Sequence, residues 1–114
     1  MIFVTGPLFA GKKNFIRNEL GMSDAEFQSC AVWDVQELAY GKTGEELETL
    51  AEELSQKTVV IATETGGGVV PVDEVQRKNR EAAGRLSILL AKKADTVVRV
   101  ICGIGKVIKG ELRK

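Results

Sequence analysis

The opening stretch MIFVTGPLFAGKK, Met1 to Lys13, decides how the rest of the chain is read. Met1 to Val4 form a short apolar run rich in β-formers, long enough for a buried strand and too short for a membrane span or a signal peptide. Gly6, four intervening residues, Gly11 and Lys12 then give the phosphate-loop spacing GxxxxGK, and a helix-like pattern follows from Asn14. Glycine lets successive backbone N–H groups curl round a phosphate, a helix N-terminus adds partial positive charge, and a lysine at this point reaches the β- and γ-phosphates. The expected nucleotide-binding segment is therefore Gly6, Pro7, Leu8, Phe9, Ala10, Gly11, Lys12, Lys13 and Asn14. Lys13 stands where the pattern wants Ser or Thr, whose hydroxyl holds Mg²⁺. A strand–helix turn with no ligand is the alternative reading.

Composition narrows the field. The 114 residues, 44% hydrophobic, are one domain's worth, so residues 1–114 are expected to form a single nucleotide-binding domain. Sixteen basic and sixteen acidic residues cancel, which argues against a nucleic-acid partner or an anionic membrane surface. Cys30 and Cys102 lie in apolar stretches without CxxC spacing and read as buried, reduced thiols of a cytoplasmic protein. With no histidine in the chain, His-ligated metal, Ser–His or Cys–His nucleophiles and any covalent histidine intermediate are excluded.

Further along, Phe15, Ile16 and Leu20 are spaced for a short amphipathic helix that Gly21 ends. Ser23 with Glu26 has capping-box spacing and predicts one helical turn through Phe27, before a strand from Cys30 to Trp33. Asp34 ends that strand, where a nucleotide-binding fold places a Mg²⁺- or water-orienting carboxylate; a surface carboxylate or helix cap is the other reading. Val35 to Lys42 is ambiguous. Thr43 with Glu46 repeats the capping-box spacing ahead of Leu47, Leu50, Ala51 and Leu54, an amphipathic helix with a solvated glutamate face.

Val59 to Ala62 is a β-branched run without alternation, as in strands buried on both faces. The polar turn Thr63-Glu64-Thr65-Gly66-Gly67-Gly68 follows, and a turn at the carboxyl end of a central strand is where α/β folds assemble ligand sites. Thr63 and Glu64 are candidates to contact nucleotide, metal or substrate, with a flexible connection as the alternative. Asp73 is placed to cap a long helix to about Lys93, striped by Val75, Ala82, Leu86, Leu89 and Leu90. Gly84 inside it suggests a close backbone approach, and Arg77, Arg80 and Arg85 can serve phosphate, a subunit contact or solvent. Val97 to Cys102 reads as another strand, Gly103 to Lys109 as a hairpin or bulge with a short final strand, and the tail from Gly110 as frayed. Alternating strands and helices predict a three-layer α/β/α domain of the P-loop NTPase type with a mainly parallel sheet.

The run ATETGGGVVP, followed at fixed spacing by Arg77, Arg80-Glu81, Gly84-Arg85, Ala94-Asp95 and CGIGKVIK, resembles the adenosylcobinamide kinase/adenosylcobinamide-phosphate guanylyltransferase family of cobalamin biosynthesis. That family's pattern is close to TNEVGxGIVP, R..RD..GR, AD and SGIGxxIK, and it fits from Ile61 to Lys109 without a gap. Gly6, Gly11, Lys12, Glu64, Gly66, Gly68, Pro71, Arg80, Gly84 and Arg85 match it. The resemblance implies ATP or GTP as nucleotide, Mg²⁺ near Asp34 and Glu64, and Lys12, Asp34 and Glu64 as the catalytic set. It further implies Thr63, Arg80 and Arg85 at the substrate or a subunit contact, a corrinoid substrate and a homo-oligomer, a trimer in that family. Asp34 stands in for the acidic residue of the family's second-strand motif. Three departures stand out: Lys13 replaces the metal-binding Ser, Thr63 replaces Asn, and Cys102 replaces Ser. The segment that carries the family's guanylylated histidine is compressed here, so that half-reaction is expected to be absent, leaving a reduced kinase or a non-catalytic nucleotide-binding, regulatory or scaffold member. An ammonium about 4 Å from a divalent ion costs on the order of 2 kcal/mol even at water-like dielectric, so Lys13 is expected to weaken a metal site.

Overall fold

In the computed structural model, which describes residues 1–65 and 73–112, five strands and four helices alternate along the chain. The strands are β1 (Ile2–Gly6), β2 (Ala31–Val32), β3 (Val59–Thr63), β4 (Thr96–Ile101) and β5 (Ile104–Lys109); the helices are α1 (Lys12–Leu20), α2 (Asp24–Cys30), α3 (Gly44–Leu54) and α4 (Glu74–Lys93). The sheet order is β2-β3-β1-β4-β5, parallel except for β5, which returns antiparallel on β4. β1 is thus central, with Ile2 paired to Val59 on one side and to Thr96 on the other.

Side-chain alternation sends successive strand residues to opposite cores. Phe3, Val60, Ala62 and Val97 pack with α3, α4 and the 3₁₀ turn Val35–Ala39, whereas Val4, Val59, Ile61, Val98 and Val100 pack with α1 and α2. Helices on both faces of a mostly parallel sheet make the three-layer α/β/α arrangement expected of a P-loop NTPase-like fold.

Several local expectations hold. Gly21 closes α1 in the left-handed region at φ 65, the Ser23–Glu26 capping box is complete, and the Asp73 carboxylate accepts from the Val75 N–H at 2.8 Å. Others are corrected. The turn begun at Ser23 continues to Cys30, so β2 keeps only Ala31 and Val32 of the Cys30–Trp33 strand, and Trp33 leaves the ladder to stack on Phe27 with ring centroids 5.9 Å apart. Thr43 occupies the N-cap of α3 but its side chain makes no cap bond; its carbonyl instead accepts from the N–H groups of Glu46 and Leu47.

Val75, the second residue of α4, lies outside the helix's apolar stripe and is exposed. Gly84 faces open space, with nothing within 4 Å of where a Cβ would sit, so no backbone approaches it. Cys30 is half-buried and Cys102 exposed, because Cys102 and Gly103 are the two turn residues joining β4 to β5, both at positive φ (51 and 73) as a two-residue hairpin of this hand requires. The tail is anchored further than expected: the Thr96 hydroxyl donates to the Glu111 carbonyl at 2.7 Å and Leu112 packs on the α1–α2 core. Gly66 to Gly68 and Pro71 lie outside the described residues.

Two glycine substitutions should separate in sign. A Cβ on Gly6 would lie 2.2 Å from the Val100 carbonyl oxygen, so Gly6→Ala should destabilise the protein by about 1–3 kcal/mol, whereas Gly84→Ala in an open helical position should stabilise it by about 0.5–1 kcal/mol. Urea denaturation of the two variants at neutral pH measures both.

Candidate phosphate-binding site

The candidate site is built where β1 stops. At Gly6, the last residue of β1, the chain runs so close to Val100 that no side chain fits, and the loop begins beyond it. Pro7 to Gly11 then rise to the first turn of α1. The Ala10 N–H donates to the Pro7 carbonyl at 3.3 Å, and the Gly103 N–H donates to the Ala10 carbonyl at 2.8 Å, so the hairpin turn between β4 and β5 props the loop from outside. Gly11, at φ 81, is the left-handed N-cap of α1, and the Leu8 and Phe9 side chains stand out into solvent. With no side-chain cap at Gly11, the free N–H groups at the start of α1 are left to another acceptor, and the helix dipole favours an anionic one.

Lys12 is the buried charged residue of this segment. Its Nζ donates to the Pro7 carbonyl at 2.7 Å, so the side chain folds back across the loop. Burial pulls its pKa below the ordinary 10.5, and the negative charges of Asp34 and Glu64 oppose that shift. The structure therefore brings the three sequence-predicted catalytic residues, Lys12, Asp34 and Glu64, into one electrostatic neighbourhood. Asp34 arrives from the end of β2 at φ 55, and Glu64 from the end of β3, its N–H donating to the Gly6 carbonyl at 2.8 Å. Thr63, in register with Gly6, donates its N–H to the side-chain oxygen of the buried Gln36 at 2.9 Å.

Lys13 and Asn14 are both exposed in the first turn of α1. The Lys13 ammonium sits over the Trp33 ring, 4.2 Å from its centroid, a cation–π contact that holds it to the side. Arg80 is half-buried on α4, and Arg85 lines a cleft of about 330 Å³ with Lys42, Thr43 and Lys78 at the starts of α3 and α4, a cleft to which no loop residue contributes.

Three contributors escaped the sequence reading. Arg99 on β4 grips Glu64 with two parallel bonds, Nε to Oε2 and a terminal nitrogen to Oε1, each 2.8 Å. The signal was present as the one charge inside the apolar strand TVVRVI. Gln36 lay in the ambiguous segment after Asp34, and Trp33 read as a strand residue. For Mg²⁺, which is commonly held by one or two carboxylates together with substrate phosphates, the donor set is thin: no cluster of three metal-ligating side chains occurs among the described residues, and both Glu64 oxygens are engaged. Asp34 is the carboxylate left open.

Comparison with known proteins covers much of the chain, the family model beginning just after Lys12. The family model described as cobinamide kinase / cobinamide phosphate guanyltransferase matches residues 13–108. The chain is similar to the bifunctional adenosylcobalamin biosynthesis protein CobU of Escherichia coli, 35% identical over 79 residues, or 68% of this chain and 44% of that one. It is 43% identical over 53 residues to the protein of the same name from Salmonella typhimurium, covering 46% of this chain and 29% of that one. It is 35% identical over 65 residues to the bifunctional adenosylcobalamin biosynthesis protein CobP of Pseudomonas aeruginosa, covering 57% and 37%. These matches span less than half the length of each curated relative.

The Arg99 hydrogen bond holds the Glu64 carboxyl below its ordinary 4.5, against the opposing cost of burial and with help from the positive charges of Arg99 and Lys12. A depressed carboxylate pKa contributes stability that is present above the unfolded-state value and is lost as pH falls through the folded-state value. Arg99→Ala should therefore raise the Glu64 titration midpoint, read by NMR of its carboxyl carbon. The stability gap between wild type and variant should be full above about pH 4.5 and close as the solution is acidified.

Proposed function

We propose a function from the premise that this chain belongs to the cobinamide kinase / cobinamide phosphate guanyltransferase family: it binds ATP or GTP by the phosphates and serves cobalamin biosynthesis by kinase-type phosphoryl transfer to a cobinamide hydroxyl. The observation that carries this reading is the loop itself, with Lys12 buried beneath it, uncapped N–H groups at the start of α1 and two carboxylates in its electrostatic range. Gly6, Pro7, Leu8, Phe9, Ala10 and Gly11 supply the phosphate cradle. Lys12 leaves the Pro7 carbonyl for the β- and γ-phosphates, and Lys13 and Asn14 border the cradle on α1.

Phosphoryl transfer is mainly positioning and charge stabilisation, so a buried ammonium and a fixed anion cradle supply much of what it needs. Mg²⁺, when it arrives with the nucleotide, would neutralise phosphate charge, and Asp34 is the residue of this chain placed to hold it. Thr63, Arg80 and Arg85 border the corrinoid or a neighbouring subunit. Residues 1–114 act as one nucleotide-binding domain in a cytoplasmic homo-oligomer, a trimer by family resemblance. The histidine-dependent guanylyltransferase step is absent from this chain, which has no histidine to carry GMP.

One observation favours a second reading. Lys13 occupies the place of the metal-binding hydroxyl and is held over Trp33, which supports a member that retains nucleotide without turning it over and acts in regulation or as a scaffold. Among the described residues no helix is long and apolar enough to cross a membrane.

Isothermal titration with ATP and GTP, with and without Mg²⁺, separates the readings. Wild type should bind, Lys12→Ala should lose at least about tenfold in affinity through the missing charge-assisted bonds, and Lys13→Ser should make binding more Mg²⁺-dependent. Formation of phosphorylated cobinamide by wild type and not by Lys12→Ala supports the kinase. Nucleotide binding without product supports the second reading, and no binding in any form removes both.

A further inference from the structure

We propose that Arg99 is an additional polyphosphate-binding residue of this site and that Glu64 is the residue that positions it. The inference rests on the nucleotide reading above and extends the phosphate contacts to a residue outside the loop.

Placement is the first argument. Arg99 lies on β4 directly opposite Thr5, one residue before the glycine at which the loop begins. Its neighbours Val98 and Val100 belong to the α1–α2 core, so alternation turns Arg99 to the other face of the sheet. Glu64 comes from β3, on the far side of β1. The Arg99–Glu64 bridge therefore spans the carboxyl end of β1, where the phosphate loop starts. The same carboxylate also feels the charge of Lys12, so the two cations flank one anion.

Valence is the second argument. A guanidinium has five N–H donors in a rigid fork, and Glu64 uses two of them. The other three have no protein partner among the described residues. A bidentate carboxylate on one edge fixes the plane of the group and so fixes where the remaining donors point. Arg99 is about half exposed, so an incoming anion can reach it. The ligand chemistry that suits three oriented donors beside the start of the loop, on the carboxylate that also feels Lys12, is a multi-oxygen anion continuous with the phosphates in the loop, which is the terminal phosphate of a nucleoside triphosphate. Glu64, with both oxygens accepting from Arg99, does not fit a metal ligand in this arrangement, and its role is to hold the guanidinium.

The test is titration of the full chain in Mg²⁺-free buffer with inorganic tripolyphosphate, ATP and ADP, using wild type, Lys12→Ala, Arg99→Ala, Arg99→Lys and Glu64→Gln, each checked for folding by circular dichroism. Arg99→Ala should weaken tripolyphosphate and ATP by about tenfold or more and ADP by clearly less, because the contact is to the terminal group. Arg99→Lys should recover only part of the loss, since a point charge lacks the fork, and Glu64→Gln should show a smaller loss of the same pattern. If Arg99→Ala does not fold, Arg99→Lys decides by the same ATP-against-ADP difference. Binding lost in Lys12→Ala but unchanged in Arg99→Ala or Arg99→Lys overturns this inference and leaves the nucleotide reading standing. An equal loss for ATP and ADP reduces Arg99 to a structural role. No binding by wild type overturns both. A repeat with Mg²⁺ in which Arg99→Ala binds ATP more tightly than wild type makes Glu64 a metal ligand and overturns the proposal as well.

Discussion

The contact on which this structure depends is the approach of β1 to β4 at Gly6, where the backbone passes so near the Val100 carbonyl that a methyl group would overlap it. Two parallel strands can come this close only where one of them gives up its side chain. The consequence is local and large. β1 ends at this residue, and the chain turns out of the sheet as a loop. The turn beyond β4 then meets that loop from the side, through the Gly103 N–H and the Ala10 carbonyl. The hairpin that ends the sheet and the loop that opens the site are one hydrogen-bonded unit, which explains why the left-handed residues Phe9, Gly11, Cys102 and Gly103 fall in these two turns. Strained backbone of this kind persists where its surroundings over-determine it.

Above that frame, charge is arranged in a row rather than scattered. Lys12 is buried under the loop, Asp34 and Glu64 close in from the ends of β2 and β3, and Arg99 closes the far side from β4. Each member limits its neighbour: burial disfavours the ammonium of Lys12, the two carboxylates oppose that shift, and the Arg99 hydrogen bond lowers the pKa of Glu64. The Lys12 ammonium itself donates to the Pro7 carbonyl.

Much of this was legible in the sequence, because the features concerned are local. The glycine spacing from Gly6 to Gly11, the capping box at Ser23, the β-branched run at Val59 and the stripe at Ala82, Leu86 and Leu90 each follow from near neighbours in the chain. The mistakes share a different cause. Gly84 was expected to meet another backbone, but what surrounds a helical glycine is decided by elements remote in sequence, and here nothing surrounds it. Arg99 and Glu64 are thirty-five residues apart, and Gln36 meets Thr63 across twenty-seven, so neither pairing has a periodic signature. Trp33 continued a strand pattern until Phe27 offered a better surface, and that tertiary contact outweighed β-propensity.

The departure at Lys13 looks different once the tertiary contacts are known. A lysine in place of a metal-binding hydroxyl would set a second ammonium beside Lys12 in the mouth of the loop, a repulsion that falls off slowly in a partly buried site. Trp33, freed from a shortened β2 and stacked on Phe27, receives that ammonium on its ring. The end of β2 and the first turn of α1 therefore meet: Trp33 presents its aromatic face, and that face accommodates the Lys13 charge. Lys13 and Trp33 consequently form one physical unit at the border of the loop, an exposed ammonium seated on an aromatic face that is itself stacked on Phe27.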